Sequence, residues 1–366
     1  MNRGTEVSRL RTAPTHPPVH FKKEPFFDVL ATLVSPMRLV TSFRGWQHTS
    51  VSFQFKSQDV DAIRSSSTGN AGSRPEFSVQ VHLRFCLLDA TSEQGDSYPS
   101  DLAVNVNGRA IAPPAPIPCK VSGGATERVH LPINIVTSCF LCPCAINKVC
   151  VTWQPVRGRE YAVGLFLVRK LSVATLLSGL QQRKKQSVAL TTAMIKKKVK
   201  RRASSDDIAV TRLHVSLRCP LSRTRMTVPC RARSCNHLDC FDAYSYLQVN
   251  ERRPAWMCPV CGKRAAFSSL VIDQMFEHIV ANTPGDCDGV VFHEDGSWTP
   301  SQKESDSGAT ISATPSSSAA GSSAPPSSCA SSGQDVGRPS KRPRVEEVID
   351  LTEYSSSDED ECGPRG

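Results

Sequence analysis

"CPLSRTRMTVPCRARSCNHLDC" spans Cys219 to Cys240, and "WMCPVC" follows from Trp256 to Cys261. Together they hold six cysteines and one histidine: Cys219, Cys230, Cys235, His237, Cys240, Cys258 and Cys261. Two spacings within them suit a metal. Cys235 to Cys240 reads C-x-H-x-x-C, and Cys258 to Cys261 reads C-x-x-C, the separation at which two thiolates converge on one ion. A buried-thiol reading competes, because cysteine is among the most buried residue types. Two ligand spacings in succession favour metal.

The interleaved eight-ligand scheme of RING-type zinc domains assigns these positions. Cys235, His237 and Cys240 stand at the third, fourth and fifth ligands, and Cys258 and Cys261 at the seventh and eighth. The second ligand position falls on Ser222 and the sixth on Ala243. The first site therefore keeps only Cys219 and Cys240, too few to close a tetrahedron. The second is complete. One structural zinc is expected, held by Cys235, His237, Cys258 and Cys261, with no open position for a substrate. A second cluster, "CFLCPC" from Cys139 to Cys144, has no histidine nearby and reads as buried thiols rather than metal ligands.

The rest of the chain frames this core. A length of 366 residues suggests two or three domains. "MNRGTEVSRLRTAPTHPP" lacks the apolar core of a signal peptide, and "YAVGLFLV" (Tyr161 to Val168) is too short to span a bilayer. No membrane partner is expected, and the fifteen cysteines read as thiols of a reducing compartment. The net charge of +10 conceals an acidic stretch, Glu346 to Glu361, with eight acids and no base; setting those aside leaves eighteen net positive charges on the remainder. Such a basic body suits acidic or polyanionic partners.

The predicted fold class is a multidomain α+β chain. Residues 1–18 read as a disordered N-terminus. Residues 19–171 form a β-rich domain. In "FSVQVHLRFCLLD", Phe77, Val79, Val81, Leu83 and Phe85 fall on one face and Gln80, His82 and Arg84 on the other. "LAVNVNGRAI" alternates up to Asn107-Gly108, a tight-turn signal. "VCVTWQPV" and "YAVGLFLVRKL" are further strands, and Pro113, Pro114, Pro116 and Pro118 mark an exposed loop. Residues 172–208 form a basic helical linker, 209–268 the zinc domain and 269–300 its extension. A short helix there begins at an Asp273 cap, with Phe276 and Ile279 inward. Residues 301–366 are Ser-rich low-complexity sequence that buries too little apolar surface to fold.

The zinc segment resembles the SP-RING of the PIAS/Siz-type SUMO ligases from end to end, with the same lost ligands. "PINIV" (Pro132 to Val136) is similar to the motif naming the PINIT domain, with Val136 in place of threonine. "VIDLT" (Val348 to Thr352), followed by "EYSSSDEDE", is similar to that family's SUMO-interacting motif. The resemblance implies a β-rich PINIT domain over 19–171, a single-zinc SP-RING of RING-like ββα form, and a motif-bearing tail. The family's usual N-terminal SAP domain has no room in the roughly twenty residues before the PINIT region, so sequence-specific DNA binding is not expected.

What the resemblance implies for function is an E3 SUMO-protein ligase with no catalytic acid or base of its own. Its partners would be the SUMO-conjugating E2, SUMO, and transcription factors and other nuclear substrates, with a role as transcriptional coregulator in the nucleus. The E2 surface would include Leu221 and Pro259, with Trp256 packed between them or serving the core. Cys219 and Cys240 would persist as packing remnants bonded to Ser222. Val348, Ile349, Asp350 and Leu351 would add as a strand to SUMO, and Ser355, Ser356 and Ser357 could gain phosphate beside the acids. "SKRPR" (Ser340 to Arg344) and "KKKVKRR" (Lys196 to Arg202) are candidate import signals. A non-catalytic scaffold that binds transcription factors or chromatin is the alternative. A ubiquitin-directed RING is disfavoured, because such domains fill both zinc sites.

Overall fold

The alternation in "FSVQVHLRF" becomes the strand Val79–Leu87, inside a four-stranded antiparallel sheet. Its order is Phe27–Arg38, Tyr161–Lys170, Val79–Leu87, Ile133–Asn134. The structure is a computed structural model that describes residues 19–40, 45–68, 75–88, 93–120, 126–203 and 212–301. The expected N-terminal segment, the Ser-rich tail, the "SKRPR" signal and the motif residues Val348 to Leu351 lie outside the described residues.

A second four-stranded sheet runs Gln47–Phe53, Asn147–Gln154, Ser100–Val106, Arg109–Ile111. Val81, Leu83, Phe85, Val163 and Leu165 from the first sheet share one core with Val51, Val104, Val149, Val151 and Trp153 from the second. Period-two patterning places these side chains inward on both sheets. Helix α1 (Ser57–Ser65) adds Val60 and Ile63 to that core. At the Ser100–Val106/Arg109–Ile111 hairpin, Asn107 and Gly108 both take positive φ, +51° and +85°. This is the two-residue turn that matches strand twist, and the Asn-Gly pair tolerates it.

The polar face of Val79–Leu87 is itself buried: His82 and Arg84 are 3% and 5% accessible. The chain around Phe21 to Phe27 covers them. Arg84 donates from Nε to Asp96 Oδ1 at 3.0 Å and from Nη2 to Asp96 Oδ2 at 2.5 Å, and again to the Lys22 carbonyl at 2.9 Å. The Phe27 ring meets His82 edge-on at 4.5 Å. The proline segment is not all loop. Ile117–Lys120, which contains Pro118, pairs with Thr126–Val129 as a hairpin and buries Ile117 and Cys119.

The basic segment forms two helices that are built into a core. In α2 (Val173–Gln181), the Ser172 hydroxyl caps Thr175 N–H at 3.1 Å, and Val173, Leu176 and Leu180 are buried. In α3 (Val188–Ala203), Ile195 and Val199 are buried while Lys196, Lys197 and Lys200 face outward. Leu180, Ile195 and Val199 join the second core, with Val215, Phe241, Tyr246, Phe276 and Phe292.

That core is framed by two small antiparallel sheets. One orders Phe241–Asp242, Pro229–Ala232 and Leu270–Ile272; the other orders Leu213–Ser216, Gly289–Phe292 and Trp298–Pro300. Helices α4 (Ala243–Arg252) and α5 (Gln274–Asn282) complete it. The Asp273 carboxylate caps α5 by accepting from Met275 and Phe276 N–H, and Phe276 and Ile279 are fully buried, as their spacing predicts. Among the described residues, no helix is long and apolar enough to cross a membrane.

Candidate metal centre

Cys235, His237, Cys258 and Cys261 converge, their ligand atoms lying within 4.8 Å of one another. Cys235 Sγ stands 3.7 Å from Cys261 Sγ, and His237 Nε2 stands 3.2 Å from Cys258 Sγ. A tetrahedral ion with Zn–S bonds of about 2.3 Å sets its sulfur ligands roughly 3.8 Å apart, so the set has the dimensions of one zinc site. Its polarity agrees. His237 Nδ1 bonds the Asp239 carbonyl at 2.9 Å, which leaves Nε2 for the metal. Burial and the neighbouring Cys258 push the Cys235 thiol up to about 12, so the thiolates a zinc site needs are costly until a cation compensates them. The chain fits one zinc ion at these four residues, in a closed set whose role is structural.

The two loops that carry the ligands are held by the surrounding fold. Cys258 and Cys261 sit in a turn where Gly262 N–H reaches the Cys258 carbonyl at 2.9 Å; Gly262 has φ +64° and closes that turn. The loop bearing Cys235 and His237 is anchored by Arg231. Its Nη1 donates to the carbonyls of His237 at 3.0 Å and Leu238 at 3.1 Å, while its Nη2 pairs with Asp273, the α5 cap. Thr191 of α3 donates to the same Asp273 oxygen at 2.6 Å. Sequence reasoning missed Arg231. Nothing in the run Cys230-Arg231-Ala232-Arg233 sets it apart from its neighbours; only the structure shows it in a strand whose four residues are all buried.

The lost first site is replaced by packing and hydrogen bonds. Cys219, Cys230 and Cys240 are all buried, with 0, 0 and 2% accessibility, and Cys219 Sγ accepts the Asp242 N–H at 3.3 Å. The expectation that Ser222 bonds these cysteines fails, because its hydroxyl pairs with Thr224 Oγ1 at 2.8 Å. Asp242 supplies the cross-link that the second metal would have made. Its carboxylate accepts from Thr227 N, Thr227 Oγ1, Val228 N and Ser245 N at 2.8 to 3.0 Å. Burial alone would raise its pKa, but those donors outweigh it and hold the carboxyl below the usual range.

Leu221 is half-buried against the zinc-domain core, Pro259 is half-buried between the ligands Cys258 and Cys261, and Val260 beside it is exposed. The Trp256 ring packs against the same core, among Phe26 at 5.9 Å, Tyr246 at 6.0 Å and Phe267 at 6.2 Å. Phe26, Val173, Leu176 and Leu247 form a core cluster there that joins the sheet domain, α2 and α4. Lys170 bridges to Glu251 at 3.2 Å, and Arg264 bonds Glu127 across the same junction. A cavity of about 750 Å³ opens beside it, lined by Glu24, His130, Arg183, Trp256 and Phe267 among others.

The Cys139 to Cys144 cluster departs from its expectation. Only Cys139 packs against the sheet core; Cys142 is half-buried and Cys144 exposed. Neither Cys142 nor Cys144 joins the sheet core that Cys139 packs against.

Two family models match the chain: the PINIT domain over residues 18–169 and the MIZ/SP-RING zinc finger over residues 215–264. The chain is 38% identical over 352 residues to the human E3 SUMO-protein ligase PIAS2, spanning 96% of this chain and 56% of that protein. It is 38% identical to the mouse E3 SUMO-protein ligase PIAS3, over 96% of this chain and 54% of that one. For the mouse E3 SUMO-protein ligase PIAS4 the figures are 38%, 82% and 58%. The chain thus spans a little over half the length of these relatives. Its fold resembles the crystal structures of the S. cerevisiae SUMO E3 ligases SIZ1 (TM-score 0.59, 23% identity, 82% of this chain and all of that one) and SIZ2 (0.55, 24%, 75% and 98%).

Proposed function

Because this chain belongs to the PIAS/Siz family of PINIT and SP-RING proteins, we propose that it is an E3 SUMO-protein ligase. In this reading it binds an E2 charged with SUMO as a thioester and holds it beside a substrate lysine. It supplies no acid, base or nucleophile; the gain is positional, from ordering two reactants and the E2 together. The observation that carries the reading is the closed Cys₃His set with the half-buried Pro259 and exposed Val260 between its last two ligands. Such a site stabilises a surface rather than performing chemistry.

Leu221 and Pro259 form the E2-facing surface in this proposal, and Trp256 supports it from within the aromatic cluster. The PINIT domain orients the substrate. Val348, Ile349, Asp350 and Leu351 bind SUMO by strand addition, with apolar side chains in a groove and the following acids against a basic rim. The substrates are transcription factors and other nuclear proteins, and the chain acts as a transcriptional coregulator.

A reconstituted reaction with SUMO E1, E2 and a substrate tests this. Conjugation should rise when the chain is added, and Leu221→Ala or Pro259→Ala should abolish the rise while the zinc content stays at one per chain. A chain that leaves conjugation unchanged, indistinguishable from its Cys258→Ser variant, would instead be a binding scaffold for transcription factors or chromatin.

A further inference from the structure

The turn Cys142-Pro143-Cys144-Ala145 lies between the short helix at Val136–Ser138 and the strand Asn147–Gln154. The Cys142 and Cys144 sulfurs lie side by side as free thiols, Cys142 half-buried and Cys144 exposed. Two side chains hold the backbone around them. Arg64 Nη2 donates to the Leu141 carbonyl at 2.8 Å, and Gln54 Nε2 donates to the Pro143 carbonyl at 2.5 Å. The turn itself closes through Ala145 N–H to the Cys142 carbonyl at 3.2 Å.

The two thiols are not equivalent. The two thiols share a hydrogen bond, and with smaller help from backbone N–H groups and the Arg64 charge it lowers the Cys142 pKa. The same bond raises that of Cys144. A partly exposed thiol that ionises more readily, next to an exposed one that stays protonated, is the arrangement of a nucleophile with a resolving partner. Cys139, three residues earlier, is a built-in contrast. It packs against the sheet core, bonds the Ile135 carbonyl at 3.3 Å, and burial pushes its thiol up to about 12. A metal reading finds less support. Among the described residues, the cluster of three or more His, Cys, Asp or Glu donors is the one at Cys235, and no third donor joins this pair.

We propose that Cys142 and Cys144 form a reversible redox site that exchanges with low-molecular-weight disulfides such as oxidised glutathione. The Cys142 thiolate attacks one glutathione sulfur, forming a Cys142–glutathione bond and releasing the other glutathione as thiolate. Cys144 then gives up its proton and attacks the Cys142 sulfur. The Cys142–Cys144 bond forms and the second glutathione leaves. The two protein thiols lose two electrons, the glutathione disulfide gains them, and the two released protons end on the two glutathione thiols. Gln54 and Arg64 grip carbonyls on either side of Cys142, so the turn is held in place in both states. The site stands independently of the ligase reading.

The test uses the full zinc-loaded chain, treated with oxidised glutathione at neutral pH, alkylated and cleaved with trypsin. Cys139, Cys142 and Cys144 share one tryptic peptide, residues 129–148. The expected product is that peptide lighter by two hydrogens and carrying one alkyl group, on Cys139. In the Cys144→Ser variant the reaction should stop at glutathione bound to Cys142, and in Cys142→Ser the peptide should gain severalfold less glutathione than Cys144→Ser does. Reduction with dithiothreitol should restore all three alkylation sites. A peptide alkylated three times after treatment, glutathione distributed equally between the two single variants, or a bridge that includes Cys139 would each overturn the proposal.

Discussion

The guanidinium of Arg231 and the carboxylate of Asp273, 42 residues apart, form an ion pair with side chains only 1% and 0% accessible. The pair fastens the loop carrying two zinc ligands to the N-terminus of α5, and Thr191 brings α3 to the same carboxylate. It is therefore a second brace beside the metal. It comes at a desolvation cost, and the Arg231 Nε has no partner of its own.

Breaking this pair should be far costlier than replacing it. Asp273→Asn should lower unfolding free energy by about 3–5 kcal/mol, because Arg231 is left buried and unpaired. Arg231→Met with Asp273→Asn should cost less than either change alone. Denaturant titration of the singles and the double, read as a cycle, measures the coupling. Singles that simply add would remove the pair from its bracing role.

Zinc removal should act on one half of the described fold. Structural zinc supplies about 10–16 kcal/mol in small zinc peptides, so a chelator should abolish exchange protection in Pro229–Ala232 and α4. Val79–Leu87 and Tyr161–Lys170 close a separate core that none of the four zinc ligands enters, and should keep theirs. Hydrogen exchange read by mass spectrometry separates the two. Metal analysis of the untreated chain should give one zinc, and two would contradict the assignment of Cys219 and Cys240 to packing.

The covered face of Val79–Leu87 should make stability depend on pH from both sides. Burial, aided by Arg84, lowers His82 to about 3, so the fold keeps it neutral. The unfolded chain binds that proton near 6.5, and stability is lost as pH falls from there toward 3. Burial and the nearby Asp96 raise Glu24 to about 7, against the attraction of Arg84 and Lys22. Its contribution is whole below about 4.5 and is lost as pH rises through 7. Each shifted unit is worth about 1.4 kcal/mol. His82→Gln should flatten the acid limb of a pH–melting profile, and Glu24→Gln should gain stability on the parent above pH 7. Unchanged profiles in both variants would refute the covered-face account.

Trp256 should behave as a packing residue. Trp256→Ala removes the ring that Phe26, Tyr246 and Phe267 surround and should cost about 3–5 kcal/mol. Trp256→Phe should recover most of that stability together with E2 affinity measured by titration calorimetry. A stable Trp256→Phe chain that has lost E2 binding would make the indole a contact residue instead.

Ligand identity and the strands came from local pattern, because both depend on short spacings. C-x-H-x-x-C and C-x-x-C set which side chains can reach one ion, and period two sets which face of a strand is apolar. The residues themselves therefore determined one zinc, its four ligands, the Asn107-Gly108 hairpin and the Asp273 cap. Periodicity does not say what covers the opposite face or which distant segment completes a core. Only the tertiary structure decided that His82 and Arg84 are enclosed by the chain near Phe21 to Phe27. It alone made α2 and α3 part of the zinc domain's interior, set Arg231 as a brace on the zinc-ligand loop, and placed Asp242 where the first site was lost. Those outcomes rest on contacts between residues tens of positions apart, which no short window of sequence contains.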